Sequence, residues 1–307
     1  MNPILKRFLA MLATLFAVMT TTFFLLRLMP GGPFDNPKLP AEVIAALNAK
    51  YHLSAPVWEQ FGYFLQQLLL HGDLGPSLTQ EGRPVAEILW QGLQVSLPLG
   101  VLALLVGSGL GCVLAVWVAS HPKRALAPWI ERLHVTLLST PSFVLAGGLV
   151  LVFAVGLKWL PVATLESPLH WILPVCTLAS VPLTFTFLFL LASLKEVAEQ
   201  PFVKVKRCLG VPENQLWRTH ILGNSTLALL SIAGPMVANL LTGSFVVELM
   251  FAIPGLGKYF VTAVVNRDYT VVLGMTLLYT IVLLGMNFIT DLLMTLVDPR
   301  LRSHGRS

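Results

Sequence analysis

The chain has 307 residues, 55% of them hydrophobic and 11% charged, where a soluble domain carries about 25% charged residues. A mean hydropathy of +0.77 disfavours a disordered chain, a nucleic-acid-binding domain and an ordinary soluble enzyme. The formal charge of +5 is basic, but in a membrane protein the placement of Lys and Arg matters more than their sum.

A helix needs roughly 20 apolar residues to cross about 30 Å of hydrocarbon. Six uncharged runs meet that length, at 8–26, 95–119, 133–157, 171–194, 226–247 and 269–290, the last continuing past Asp291 to 297. The fold class expected is an all-α integral membrane protein with six transmembrane helices, forming one domain over 1–307. The first run follows Lys6 and Arg7 as a secretory signal would, but it is too long and no small-residue cleavage site follows it, so it reads as a retained anchor. With the N-terminus inside, thirteen of the twenty Lys and Arg fall on the cytoplasmic side: Lys6, Arg7, Lys123, Arg124, Arg132, Lys195, Lys204, Lys206, Arg207, Arg218, Arg300, Arg302 and Arg306. Lys38, Lys50 and Arg83 fall in a long outer segment, and Lys158, Lys258 and Arg267 in short outer loops. Arg27, near the outer end of the first helix, can snorkel. Both termini are therefore expected in the cytoplasm, with Trp159 and Trp171 as interfacial anchors.

The outer segment, 30–94, is too long for a bare loop; 42–51 and 57–70 carry helical spacing of apolar residues, and the segment is expected to cap the outer mouth. Charge inside the spans is scarce. Asp291, one turn after Asn287, reads as a packing or interfacial acid, and His134 as a polar residue at the membrane surface. Pro98, Pro141, Pro174, Pro182 and Pro235 allow kinks, and Gly107, Gly109, Gly111, Gly147 and Gly148 offer small faces. Cys112 and Cys176 read as packing residues and Cys208 as a free thiol, and no His, Cys or Asp spacing suggests a metal site.

The inner loop, 195–225, carries the most specific pattern. Phe202, Val205 and Leu209 stand at i, i+3 and i+7 on one helix face, with Lys204, Lys206 and Arg207 elsewhere. Gly210 can end that helix in the left-handed conformation, and Pro212, before Glu213, suits the start of another. A compact knob is expected, unless the helix simply lies on lipid headgroups.

With these residues the chain resembles the permease subunits of binding-protein-dependent ABC importers of the peptide/nickel class, the nearest likeness being the B-type permease of oligopeptide importers, with its type I importer fold. The loop is similar to the family's coupling loop, with Gly210 at the glycine, Arg207 before it, Val211 and Glu213 after it, and His220 and Asn224 downstream. Arg27 to Phe34, Ala49 to Leu53 and Gly72 to Ser77 resemble the family's outer segment. Val247 to Gly257, with Glu248, Pro254, Gly255 and Gly257, then Asn266 to Tyr269 with Asp268, resemble the outer loop before the last helix, and Asp298 to Arg302 the family's ending. Lys206, Leu209 and Ala228 depart from the common Ala, Lys and Pro.

No phosphate-cradling G-x-x-x-x-G-K-[ST] motif occurs. Gly255-Leu256-Gly257-Lys258 mimics its end but lacks the first glycine and is followed by Tyr259. The resemblance therefore implies a non-catalytic subunit without a cofactor, ATP and Mg²⁺ being bound by partners. Those partners are a second homologous permease, two cytosolic ATPases and a periplasmic or lipid-anchored peptide-binding protein. Membrane lipid would surround it, nucleic acid would not be a partner, and its place would be the bacterial inner membrane. Oligopeptides are the expected cargo; dipeptides, nickel chelates and antimicrobial peptides share these motifs, and a stand-alone secondary carrier is the alternative from another class.

Overall fold

The computed structural model describes residues 3–34, 40–80, 82–162, 164–241 and 243–297. The expected features at Lys38, at Asp298 to Arg302 and at Arg306 lie outside the described residues, as does the side chain of Ala228. All regular structure in the described residues is helical. Helix α1 spans Pro3–Leu28, and the following segment folds into α2 (Ala41–Lys50) and α3 (Val57–Gln66), which runs on as a π-helical stretch, Gln67–His71. Next come α4 (Val85–Ser120), α5 (Leu126–Ser139), α6 (Ser142–Leu149) with a π-helical extension Val150–Gly156, and α7 (Pro168–Glu199). The short helices α8 (Pro201–Cys208), α9 (Glu213–Leu216) and α10 (Leu222–Ser225) follow, then α11 (Leu227–Leu241), α12 (Phe245–Met250), α13 (Leu256–Val265) and α14 (Tyr269–Val297).

Among the described residues, five helices are long and apolar enough to cross a membrane, and a bent pair makes a sixth if it counts as one span. That pair corrects the expected third run. Instead of one straight helix, α5 and α6 meet at 111°. Pro141 has no N–H to continue the ladder and forces its predecessor out of the helical region; Thr140 accordingly lies at φ −89° and ψ 120°. The fifth run is interrupted as well, because α11 ends at Leu241 and Gly243 turns the chain at φ 85° before α12 begins.

The most extensive helix pairing is α4 with α7. The two run in the same direction, with Leu99 and Ala103 near Leu173 and Ala179, and Ala115 and Val118 near Leu190 and Leu194. Gly107 and Gly111, one turn apart, let the backbones touch: a Cβ on Gly107 would stand 2.5 Å from the Ala179 carbonyl oxygen, and one on Gly111 2.6 Å from that of Leu183. The other candidate small faces do not serve this way. Nothing lies within 4 Å of a Cβ on Gly109 or Gly148, and Gly147 would meet only the tip of Met250.

Two further expectations change, and a third narrows. His134 is 1% exposed rather than at a surface; its ring stacks on Phe187 of α7 at 3.8 Å, and Nδ1 lies 2.8 Å from the Ile130 carbonyl oxygen. Cys176 is exposed on α7 rather than packed. Asp291 is half exposed and pairs with Arg7 of α1 at 3.4 Å, which leaves the interfacial reading rather than the packing one.

Gly111→Val should drive α4 from α7 and cost about 1–3 kcal/mol, the usual penalty for overpacking. Thermal unfolding of the purified chain in detergent should show a lower Tm for Gly111→Val, with Gly109→Ala unchanged. Equal Tm values would contradict the close contact.

Candidate functional site

Two regions gather the residues singled out from sequence. The first is the knob at the end of the bundle where α4 and α7 finish. Gln200 leaves α7 in extended backbone, and Pro201 occupies the first position of α8, where its missing N–H costs nothing. After Cys208, the Gly210 N–H reaches the Arg207 carbonyl at 3.1 Å and the Val211 N–H that of Lys206 at 3.2 Å. Gly210 sits at φ 78°, a conformation open to glycine at little cost, with nothing within 4 Å of an added Cβ. Pro212 then directly precedes α9, which continues through a π-helical turn, Trp217–Ile221.

The knob is held by residues that sequence periodicity did not single out. Val203, Leu216 and Ile221 are fully buried against Val118, Ala127, Leu194 and Val197. Val211 and Trp217 pack at the margin of that cluster. The face formed by Phe202, Val205 and Leu209 turns the other way, and Leu209 is 76% exposed. The signal for the buried side was present as Val203 followed by Leu216 and Ile221, but these lie on different helices and share no single period.

Polar contacts brace the turn. Arg207 and Glu213 form a two-pronged pair, Nη2 to Oε1 at 2.6 Å and Nε to Oε2 at 3.2 Å. Hydrogen bonding to Glu213 raises the Arg207 pKa further above its ordinary value; both groups are about half exposed, so the pair contributes at most about 1 kcal/mol. Lys206 Nζ lies 2.7 Å from His220 Nε2, and Asn224 Nδ2 donates to the His220 carbonyl at 2.6 Å. Beside the knob a cavity of about 450 Å³ is walled by Pro122, Glu131, Lys195 and Trp217.

The second region holds Glu248, Pro254, Gly255, Gly257 and Asp268. Glu248 is not in an open loop: it lies on α12 and is 0% exposed. Oε1 accepts the Ser96 hydroxyl of α4 at 2.7 Å, and Oε2 accepts the Lys258 N–H at 3.2 Å, with the Gly257 N–H also bonded to the carboxylate. Ser96 Oγ in turn accepts the Leu256 N–H at 2.8 Å. The free N–H groups of the first turn of α13 are thus met by a buried carboxylate and the serine it binds, and the positive end of that helix offsets the charge. The Gly255-Leu256-Gly257-Lys258 turn is an anion receptor after all, but its anion is internal. Gly255 must be glycine because a Cβ would stand 2.5 Å from the Glu248 carboxyl, and Gly257 because one would stand 2.5 Å from the Phe245 backbone. Pro254 is exposed at the turn, where the Gly255 N–H closes on the Ile253 carbonyl at 3.0 Å.

Asp268 is 1% exposed and ties the first segment to the last helix. Its Oδ1 accepts the Val271 N–H at 3.3 Å, capping α14, and the Leu78 N–H at 3.1 Å. Its Oδ2 accepts the Ser77 hydroxyl and, at 2.8 Å, the Thr79 hydroxyl. Next to it, Thr270 Oγ1 donates to the Pro76 carbonyl at 2.7 Å and the Tyr269 hydroxyl to that of Gly31 at 3.0 Å. Among the described residues no group of three His, Cys, Asp or Glu could hold a metal ion.

Comparison with known proteins decides what carries this architecture. Residues 107–303 match the family described as binding-protein-dependent transport system inner membrane component. The chain belongs to that family. It is 37% identical to the dipeptide transport system permease protein DppB of Bacillus subtilis, over 98% of this chain and 97% of that protein. It is 35% identical to the oligopeptide transport system permease protein OppB of Salmonella typhimurium, over 97% of this chain and 98% of that protein. Among solved structures it is similar in fold to an amino acid ABC transporter, with a TM-score of 0.53 at 17% identity over 70% of this chain and 94% of the other. The MetNI methionine ABC transporter gives a TM-score of 0.52 at 17% identity, covering 70% of this chain and 96% of that one. The protein is thus a multi-pass, non-catalytic membrane subunit of a binding-protein-dependent transporter.

Glu248→Ala would leave the Lys258 N–H and the Ser96 hydroxyl without their acceptor, a loss of about 1–3 kcal/mol per buried group. Its Tm should fall well below that of Glu248→Gln, which keeps shape and one acceptor; an Ala variant as stable as wild type would remove the argument. Asp268→Ala should free the 76–80 stretch. Limited proteolysis with a broad-specificity protease would then cut there in the variant while wild type stays intact.

Proposed function

We propose that this chain is a translocation-pathway subunit of an ATP-driven ABC importer that takes up peptides across the bacterial inner membrane. The observation that carries the reading is the full-length similarity to dipeptide and oligopeptide permeases at 33–37% identity. In this reading both termini and the 195–225 loop are cytoplasmic, the 30–94 segment is periplasmic, and 1–307 forms one transmembrane domain. The excess of Lys and Arg on the loop side supports that orientation.

The chain has no nucleotide-binding motif, so the motive force arrives from two cytosolic ATPases. The knob is their handle. Its buried side is part of the bundle, whereas Phe202, Val205 and Leu209 present apolar side chains outward beside Lys206, Arg207 and Glu213. A partner gripping that face moves α7 and α4 with it, because Val203, Leu216 and Ile221 are packed against both. ATP then shifts the bundle between inward-open and outward-open states through contacts that differ between them. A second homologous permease completes the pathway, and a peptide-binding protein docks on the periplasmic side, where Glu248 and Asp268 hold the loops in place. Oligopeptides are the proposed cargo. Dipeptides are the second reading, favoured by the 37% identity to the B. subtilis protein.

Gly210→Val is the test. The left-handed backbone disfavours a β-branched residue, while open space around the site removes any clash. In membrane vesicles carrying the full complex, the variant should insert normally and lose labelled-peptide uptake by about tenfold or more, roughly 1–2 kcal/mol of strain being spent at the handle. Gly210→Ala should lose less. Wild-type uptake by Gly210→Val would refute the coupling role, and comparing di-, tri- and pentapeptide uptake in the same vesicles separates the two cargo readings.

A further inference from the structure

Arg27 lies at the end of α1 with an incomplete set of partners. Its guanidinium carbon stands 3.7 Å from the centre of the Phe23 ring and 5.6 Å from that of Tyr269, and Nε donates to Gln60 Oε1 at 3.1 Å. Nη1 is buried without a hydrogen-bond partner. Among the described residues, no carboxylate forms an ion pair with it. A guanidinium nitrogen shielded from water and left without an acceptor is costly, and the ligand chemistry that satisfies it is an anion with several acceptor oxygens.

The space beside it suits such a group. A cavity of about 300 Å³ is lined by Arg27, Lys50 and His52, by one carboxylate, Asp73, which accepts the Gly75 N–H at 2.9 Å, and by Phe23 and Phe64, and an adjoining one of about 420 Å³ shares Arg27, Leu53 and Gln60 with it. His52 occupies the left-handed region at φ 55°, with its ring 5.4 Å from Tyr63, so a basic group stands at the wall at some backbone cost. Three basic side chains against one carboxylate therefore line the space, over an aromatic and aliphatic floor. The same helical segment that walls the cavity exposes large apolar groups, Trp58 at 72%, Leu69 at 76% and Leu70 at 71%, the pattern of an element lying in a membrane interface.

We propose that this cavity binds the phosphate of a membrane phospholipid, with Arg27 Nη1 as its donor, Lys50 and His52 alongside, and the acyl chains against Leu69 and Leu70. The excess of basic groups over the one carboxylate, Asp73, and the exposed apolar groups of the helical segment that walls the cavity are complementary to the two ends of one lipid molecule. Free phosphate satisfies the first and not the second. The inference goes beyond the transport reading and does not depend on it.

The purified full-length chain in detergent would be titrated with phosphatidylglycerol, with diacylglycerol of the same chains and with inorganic phosphate, reading bound mass by native mass spectrometry and Tm in parallel. Phosphatidylglycerol should bind and raise Tm, while diacylglycerol and phosphate at equal concentration do neither. Arg27→Gln should weaken lipid binding by about tenfold or more, the loss expected for a charge-assisted hydrogen bond. Leu69→Ser combined with Leu70→Ser, on an exposed face, should weaken it several-fold with the fold intact. Unchanged lipid binding in Arg27→Gln overturns the proposal, and phosphate alone matching the lipid overturns it in favour of a small-anion site. If Arg27→Gln does not fold, Lys50→Gln and the double serine variant decide the matter, and wild-type affinity in both overturns it.

Discussion

One buried carboxylate organises the half of the protein opposite the knob. Glu248 is removed from water, and burial of an uncompensated acid costs several kcal/mol. Here the first turn of α13 supplies N–H groups and the positive end of its dipole, and Ser96 supplies a hydroxyl from α4, 152 residues away in sequence. The geometry admits the acid only because Gly243 and Gly255 leave no side chain in its way. The same contacts fix where α12 hands over to α13, and so the platform from which α14 departs.

Asp268 repeats the principle at the start of α14. It caps its own helix and gathers Ser77, Leu78 and Thr79, so the segment between α1 and α4 is tied to the last helix by one side chain. With Tyr269 on Gly31 and Thr270 on Pro76, the end of the molecule bearing the two acids is laced by polar bonds whose partners are inside the chain. The knob end is built differently. Its polar pairs are exposed and weak, its base is apolar, and its outward face is apolar and unoccupied within the chain. In the proposed reading that asymmetry suits a subunit receiving force from outside: one end is fastened by internal polar bonds, and the other is left for a partner. Between them, α4 and α7 touch backbone to backbone at Gly107 and Gly111.

Much of this was legible in the sequence. The six apolar runs located the membrane elements, the glycine between two short helices located the knob, and the missing first glycine at 252 separated the 255–258 turn from a nucleotide loop. Those signals are local, set by hydrocarbon thickness, by the φ range open to glycine and by the spacing a phosphate demands. Less legible was the role of the acids. Asp291 drew notice because it interrupts an apolar run, yet it is half exposed and paired with Arg7, while Glu248 sat in a stretch that reads as a loop motif and is fully buried. The outward turn of Phe202, Val205 and Leu209 was also hidden, because periodicity shows that a helix has an apolar face without showing what lies against it.

By itself, then, the sequence determined that this chain is a membrane-spanning helical protein with a protruding loop and without the phosphate-cradling G-x-x-x-x-G-K-[ST] motif, since length, hydropathy and local spacing are properties of single segments. Only the tertiary structure decided that the third span breaks by 111° at Pro141, that Arg27 is left with an unpaired donor and that Glu248 and Asp268 are the fastening points. A proline permits a bend without setting its angle. Each buried carboxylate is met by local N–H groups and also by a serine hydroxyl that the fold brings from more than 150 residues away, and no local pattern records that distance being closed.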